Sequence, residues 1–326
     1  MRLAVIDVGT NTVRLLVAES EDPPAYRSLL TAQTITRLGQ GLLPTKVLQP
    51  EPIRRTLEVL RRFRELAEAQ GAARIIAVGT SALRDAENRT DFTTAARGDT
   101  GVDITVIPGE EEARLALLGV RAGLPEAPAR LLMMDIGGGS TELLLADGEA
   151  IRAAVSTDLG AVRLTEALVH GDPPMPAELE SVQRTAVERF EHARLGELRD
   201  LADVDAFVGT AGTVTSLAAV DLALVPYDPS RVAGHRLTRD RVARWLQGLA
   251  ALRLEDRRQV PGLEPARADI IVAGIVVCLA AMDVLGFPAL TVSDAGLREG
   301  ILLDALRPSP AAARTGDRRS DSGADA

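Results

Sequence analysis

Residues 131–146 read LLMMDIGGGSTELLLA: an apolar run, an aspartate, three glycines, two hydroxyl residues, a glutamate and a second apolar run. Two apolar runs joined by a short polar, glycine-containing stretch predict a β-hairpin. The same order occurs once earlier, where Leu3 to Ile6 leads into Asp7-Val8-Gly9-Thr10-Asn11-Thr12 and Val13 to Ala18 follows at once. The two aspartates, Asp7 and Asp135, are 128 positions apart, a spacing at the scale of a domain rather than of a solenoid repeat. Outward from the first hairpin, Pro52 opens a helix in which Ile53, Leu57, Leu60, Phe63 and Leu66 recur at helical spacing, with Gly71 closing it. Arg74 to Val78 reads as a buried strand, Val102 to Ile107 as another, and Glu110 to Arg121 as a helix. Strand, helix and strand in succession predict parallel pairing and an α/β class. Gly123 to Arg130, with two prolines, reads as a linker. The expected organisation is therefore a domain over 1–125 and a similar one over 126–306, facing each other across a cleft. The non-periodic tail 307–326 is expected to be disordered.

Composition narrows the class. The 326 residues fit two domains, and 46% hydrophobic with 25% charged residues is ordinary globular usage. Cys278 is the only cysteine, which rules out an internal disulfide. Aromatic residues at 2% make stacking platforms for single-stranded nucleic acid improbable. A net charge of −9 disfavours non-specific nucleic-acid and anionic-membrane binding. Lys46 is the only lysine, so 36 of the 37 basic residues are arginine, and an anion site here must use guanidinium forks or backbone amides. The longest uncharged apolar run, Ile270 to Met282, has 13 residues, short of the ~20 that a bilayer requires. It is read as a core helix with Cys278 as a small buried hydrophobe, and a cytoplasmic location is expected.

Neither Asp-x-Gly loop opens onto a helix, and no G-x-x-x-x-G-K-[ST] sequence is present. A hairpin tip with glycine and hydroxyl residues can still aim successive N–H groups at an anion, with Thr10, Asn11, Ser140 and Thr141 as added donors. An aspartate at a strand end can hold Mg²⁺ directly or through water. Asp7-Val8-Gly9 alone reads as an ordinary turn. Gly137-Gly138-Gly139 does not, because a turn needs one or two glycines and each is entropically costly. Phe207 to Thr213, carrying Gly209, Thr210 and Gly212, stands open between an anion site at a helix start and close strand–helix packing. Arg84, after Gly79-Thr80-Ser81, alone reads as an exposed residue beside a cap; with two candidate phosphate loops in the chain it reads as a phosphate clamp. Glu110, Glu111 and Glu112 suit the first turn of a helix. Yet they follow a strand end, where α/β active sites collect, and a carboxylate there can orient and deprotonate water. Neighbouring Glu142 and Asp135 would raise its pKa and bound Mg²⁺ would lower it. His170, His192 and His235 lack metal-ligand spacing. Carboxylates, hydroxyls, arginine, amides and Mg²⁺ remain, the set used in phosphoryl transfer.

With these pieces in hand, the chain resembles the exopolyphosphatase / guanosine pentaphosphate phosphohydrolase family of the actin-like superfamily. The resemblance rests on IDVGTNTVRLLVAE (6–19), AVGTSALRDAENR (77–89), IPGEEEARLALLGV (107–120), MDIGGGSTELLLADG (134–148), TDLGAVRLTE (157–166), FVGTAGTVTSLAAVDL (207–222) and DAGLREGILLD (294–304). It implies two actin-like (ribonuclease H-like) domains with the active site in the cleft between them. It also implies Mg²⁺-dependent release of the terminal phosphate from inorganic polyphosphate, with Mn²⁺ as an alternative ion. Guanosine pentaphosphate is the alternative substrate, and a catalytically weak polyphosphate- or alarmone-binding regulator the alternative role. By the same resemblance Glu112 is the catalytic glutamate and Glu142 assists in catalysis or metal binding. Asp7 and Asp135 are metal-associated. Thr10, Asn11, Arg84, Gly138, Gly139 and Ser140 contact phosphate, and Gly137, Thr141, Gly209, Thr210 and Gly212 are carried as candidates with them. Longer members have further helical domains associated with gripping long chains; the short tail here resembles the short members and puts processivity in question. No nucleic-acid or membrane partner is expected, and a homodimer is one assembly the reading allows.

Overall fold

The computed structural model describes residues 1–126, 128–198 and 200–307; apart from Arg307, the tail expected to be disordered lies outside the described residues. Strands β1 (Arg2–Val8), β2 (Thr12–Glu19), β3 (Arg27–Ile35), β4 (Arg74–Gly79) and β5 (Ile104–Val106) form one sheet in the order β3-β2-β1-β4-β5. A second sheet takes β6 (Arg130–Ile136), β7 (Thr141–Asp147), β8 (Ala150–Thr157), β9 (Ala206–Thr210), β10 (Arg236–Thr238) and β11 (Ala289–Val292) in the order β10-β11-β9-β6-β7-β8. Each sheet begins with an antiparallel meander, β1-β2-β3 or β6-β7-β8, and continues with parallel strands, β4 and β5 or β9 and β11. The domain-scale repeat read from the two Asp-x-Gly hairpins is thus a repeat of whole sheets.

The side-chain alternation of a strand assigns every central residue to one of two faces. In β1, Ala4, Ile6 and Val8 pack outward with Leu60 and Phe63 of the helix Pro50–Ala69. Leu3 and Val5 point the other way, into a core shared with the second sheet. In β6, Leu132, Met134 and Ile136 join the outer core built on the helix Ile271–Leu285, while Leu131 and Met133 enter the shared core. That helix is the apolar run predicted to be internal, and Cys278 in it is buried. Strands with both faces covered read as continuous apolar runs, which is why the sequence marks them so plainly.

The shared core is filled by two helices, Gly109–Gly123 and Leu297–Leu306. The first packs on β7 and β8 and the second on β1 and β2, so each reaches toward the sheet farther from it in sequence. Their crossing is close enough that a Cβ on Gly119 would lie 1.9 Å from the Gly296 oxygen, and one on Gly300 1.7 Å from the Leu115 oxygen. The layers are therefore helix, sheet, helix pair, sheet, helix. The expected boundary near 125 falls in the loop between Gly109–Gly123 and β6. Among the described residues no helix is long and apolar enough to cross a membrane.

Candidate active site

Strand alternation also places the charged groups. Asp7 follows Leu3 and Val5 on the inner face of β1, and Asp135 follows Leu131 and Met133 on the inner face of β6. Arg14 lies on the Leu16 and Ala18 face of β2, and Glu142 on the Leu144 and Ala146 face of β7. All four project into the space between the sheets where the shared core stops. There a cleft of about 870 Å³ opens, lined by Asp7, Arg14, Glu112, Asp135 and Glu142 together with both hairpin tips.

The two hairpins are built alike. Gly9 N–H donates to Thr12 O at 3.1 Å, and Gly137 N–H to Ser140 O at 3.0 Å. The second tip is held from behind: Ala161 N–H bonds the Gly137 carbonyl at 3.0 Å, Val162 N–H the Gly138 carbonyl at 2.9 Å, and Arg163 Nε the Gly139 carbonyl at 2.7 Å. With the carbonyls so occupied, the N–H groups of Gly138, Gly139 and Ser140, like those of Thr10 and Asn11, have no protein partner among the described residues. Five such N–H groups on two touching tips that line the cleft form a donor surface suited to an anion. The tips touch. A Cβ on Gly138 would stand 3.2 Å from the Cβ atoms of both Thr10 and Asn11, and one on Gly139 2.5 Å from Ser81 Oγ. A Cβ at 139 would displace Ser81 or Thr10, and one at 138 would crowd the first tip, so glycine at both positions serves packing as well.

The cross-strand partners differ between the hairpins. Asp7 is paired in register with Arg14, whose Nη1 lies 3.7 Å from its Oδ2. Asp135 is paired with Glu142, a second carboxylate. Like charges directly opposite each other are destabilising, so the second hairpin carries negative charge that the first neutralises. Burial pushes Asp135 well above the ordinary carboxylate range, and Glu112 adds to the rise. Burial likewise raises Glu142, Asp135 raises it further, and Ser156 Oγ, donating to its Oε1 at 2.9 Å, opposes the shift.

Glu112 sits on the first turn of Gly109–Gly123, as the sequence placed it. Burial, Glu142 and Asp7 push its pKa up, against Arg84, whose Nη1 contacts Glu112 Oε2 at 2.5 Å and also donates to Ile107 O at 3.2 Å. Arg84 is therefore bound to the candidate base and does not itself line the cleft.

The Gly/Thr element at 207–213 forms the end of β9 and the start of the helix Ala211–Asp221. Thr210 and Gly212 line the cleft, and Ala211 lies in the left-handed region at φ 65°, a conformation that costs a non-glycine residue ~1–2 kcal/mol and is found at functional sites. Gly212 makes room for a residue that the sequence reading did not single out. Arg267 packs its guanidinium where a Gly212 Cβ would be, 2.1 Å from Nη1. It is buried, donates from Nη2 to Thr12 Oγ1 at 3.2 Å, and forms no ion pair with a carboxylate among the described residues. Burial and the nearby Arg14 pull its pKa down to about 10. A buried cation beside another cation, at a helix N-terminus whose dipole is also positive, is unfavourable until an anion arrives. Its signal in sequence, one arginine among 36, is indistinguishable from the surface ones.

Of the expected site residues, Asp7, Thr10, Asn11, Glu112, Asp135, Gly137, Gly138, Gly139, Ser140, Glu142, Thr210 and Gly212 converge on this one cleft. Two do not. Thr141 is fully buried and its hydroxyl donates to Leu159 O at 2.7 Å. Gly209 faces Val214 and Leu290, so it serves the strand–helix packing that the sequence left open.

The sequence pattern of the Ppx/GppA phosphatase family matches residues 16–308. The chain belongs to that family. It is 35% identical over 314 residues to a protein of Mycobacterium tuberculosis named exopolyphosphatase 2, covering 93% of this chain and 98% of that one. Among solved structures, the Ppx/GppA protein of Aquifex aeolicus superposes with a TM-score of 0.78 at 33% identity, over 94% of this chain and 97% of the other. An exopolyphosphatase from Cytophaga hutchinsonii gives 0.84 at 26% identity, over 94% and 99%. Family membership thus agrees with the α/β, two-sheet architecture.

Proposed function

We propose that this Ppx/GppA protein is an exopolyphosphatase that releases orthophosphate from the end of inorganic polyphosphate by base-assisted attack of water. The observation that carries the reading is the donor surface of five unpartnered N–H groups on the two tips, beside a buried glutamate. The terminal phosphate fits against Thr10, Asn11, Gly138, Gly139 and Ser140, and Arg267 is placed to take charge from the following phosphates. Glu112 then orients a water and accepts its proton as the water oxygen bonds to phosphorus and the bridging oxygen leaves with the shortened chain. A base whose pKa lies near the working pH is the efficient one, and burial moves Glu112 in that direction. Arg84 holds the Glu112 carboxylate in one orientation, and the loop amides stabilise the charge on the transferred group.

A divalent cation fits the charge pattern. Asp135 opposite Glu142 is an uncompensated carboxylate pair, Asn11 Oδ1 is buried without a partner, and the donors are all oxygen, as Mg²⁺ prefers. Among the described residues no three carboxylate, histidine or cysteine side chains close on one point, so an ion here would be held in part through its own waters. Asp135 and Glu142 are the residues that would hold it, with Asp7 reaching it through water, and it would supply neutralisation of phosphate charge.

Guanosine pentaphosphate is the second reading. The cleft mouth has an apolar lip, Val225, Pro226 and Tyr227 with Leu263 behind, and Val225 is 76% exposed; such a lip suits a nucleoside better than a phosphate chain. Phosphate release from short polyphosphate, long polyphosphate and guanosine pentaphosphate, measured side by side with and without Mg²⁺, tests both. Preference for polyphosphate with strict Mg²⁺ dependence is expected. Release from guanosine pentaphosphate alone would replace the first reading by the second.

A further inference from the structure

Arg37 is one of few non-glycine residues with a left-handed backbone, at φ 52°. Its own N–H and that of Thr36 both donate to the carbonyl of Asn11, at 2.9 and 3.0 Å, so the conformation fastens the chain after β3 to the first hairpin tip. Its side chain crosses to the other half of the molecule. Nη1 donates to Asp269 Oδ2 at 2.6 Å, and Nη2 to Asp269 Oδ1 at 3.0 Å and to Ala266 O at 3.0 Å. The fork therefore grips the chain on both sides of Arg267, and Arg267 returns to the first tip through Thr12. Asn11, Arg37, the 266–269 segment, Arg267 and Thr12 form a closed circuit that spans the gap between the lobes twice.

We propose that Arg37 is a positioning residue: it ties the first hairpin tip to the segment carrying Arg267, so that the tip amides and the buried guanidinium face the same bound phosphate chain. The proposal rests on the phosphate-binding reading of the cleft and deepens it. Two features separate this pair from a surface ion pair. The bidentate fork fixes orientation as well as distance, and both partners are attached to groups that face the anion. The left-handed backbone, unfavourable for arginine, is retained where glycine or asparagine would be easier.

The exchange of charges tests it. Asp tolerates the left-handed region, so Arg37→Asp removes the fork without adding backbone strain, and Asp269→Asn weakens it while keeping one acceptor. With tripolyphosphate and Mg²⁺, Arg37→Asp is expected to raise KM by about tenfold or more, on the order of one charge-assisted contact set, with kcat within about threefold because Glu112 and Glu142 are untouched. Asp269→Asn falls between, and Arg37→Asp combined with Asp269→Arg recovers most of the loss. A merely structural role would lower Tm without this KM-against-kcat split and without recovery in the exchange. Unchanged KM in Arg37→Asp, or no recovery in a folded exchange variant, overturns the proposal. If the wild type binds tripolyphosphate without cleaving it, the hydrolytic reading fails and calorimetric affinities of the same variants still decide on Arg37. If it does not bind, spin labels on Arg62→Cys and Glu188→Cys, both exposed against a buried Cys278, report the distance between lobes. A broader distribution in Arg37→Asp, restored by the exchange, supports the tie; a distribution as narrow as wild type refutes it.

Discussion

Replacing Glu142 by Gln should make the metal-free protein more stable while making it a poorer enzyme. A Gln oxygen can still accept the Ser156 hydroxyl that bonds Oε1 at 2.9 Å, the new amide N–H groups face Asp135 as donors, and the charge opposite Asp135 is lost. Two ionised carboxylates on directly opposed residues, ~5 Å apart, repel by about 3 kcal/mol at an effective dielectric of 20. Part of that is already relieved by proton uptake, since the pair's pKa values are raised, so about 1–2 kcal/mol remains to be recovered near pH 8. The direction with pH follows from linkage. A carboxyl whose folded pKa lies above its unfolded value holds a proton that the unfolded chain has released, so stability falls as pH rises from the unfolded value through the folded one. The advantage of Glu142→Gln is therefore absent near pH 4 and grows toward pH 8. Urea unfolding of both proteins in chelator, from pH 5 to 8.5, measures it. Mg²⁺ should close the gap by stabilising the wild type more, and phosphate release by the variant should fall by about 10²-fold or more. A variant less stable than wild type at pH 8 without metal, or a difference independent of pH, would refute the electrostatic reasoning.

Gly138→Val places branched carbon where Thr10 and Asn11 already lie 3.2 Å from a Cβ; the tips must part, and substrate affinity, read by calorimetry with tripolyphosphate, should drop by at least about tenfold, the worth of one lost charge-assisted bond. Arg267→Gln relieves a buried unpaired cation, so the variant should gain about 1 kcal/mol of stability without ligand and lose affinity that depends on phosphate-chain length. Gly300→Ala sets a methyl 1.7 Å from the Leu115 carbonyl and should cost about 1–3 kcal/mol in chemical denaturation by forcing the two crossing helices apart.

Much of this molecule was legible because its sheets are covered on both faces. Continuous apolar strands ending in Asp-x-Gly announced both hairpins, whereas the inward direction of Asp7 and Asp135 follows only from which strand face packs into the shared core. The glutamate triplet was legible as a helix first turn after a strand end, but the choice of Glu112 among the three came from the family resemblance, and the fold turns that one into the cleft. What stayed hidden depends on contacts between distant segments. Arg37 and Arg267 acquire their meaning only when chain 232 and 255 residues away packs beside them, and nothing local distinguishes them from surface arginines. β8 went unread because its edge position leaves most of it exposed, which breaks the apolar pattern. The glycines of the second tip were read as phosphate contacts, and the packing adds a reason invisible in the sequence: a Cβ there would meet Thr10, Asn11 and Ser81. Thr141 looked like its neighbour Ser140 in sequence, yet the strand register turns its hydroxyl into the core.

The central claim, that Glu112 readies water beside a phosphate held by the two tips, is tested most directly by turnover of Glu112→Gln on saturating tripolyphosphate with Mg²⁺ at pH 8. Removal of a general base predicts a fall in kcat of ~10²–10⁴ with affinity for the substrate changed only a few-fold. Turnover within a few-fold of wild type would contradict it and move the proton-accepting role elsewhere in the cleft.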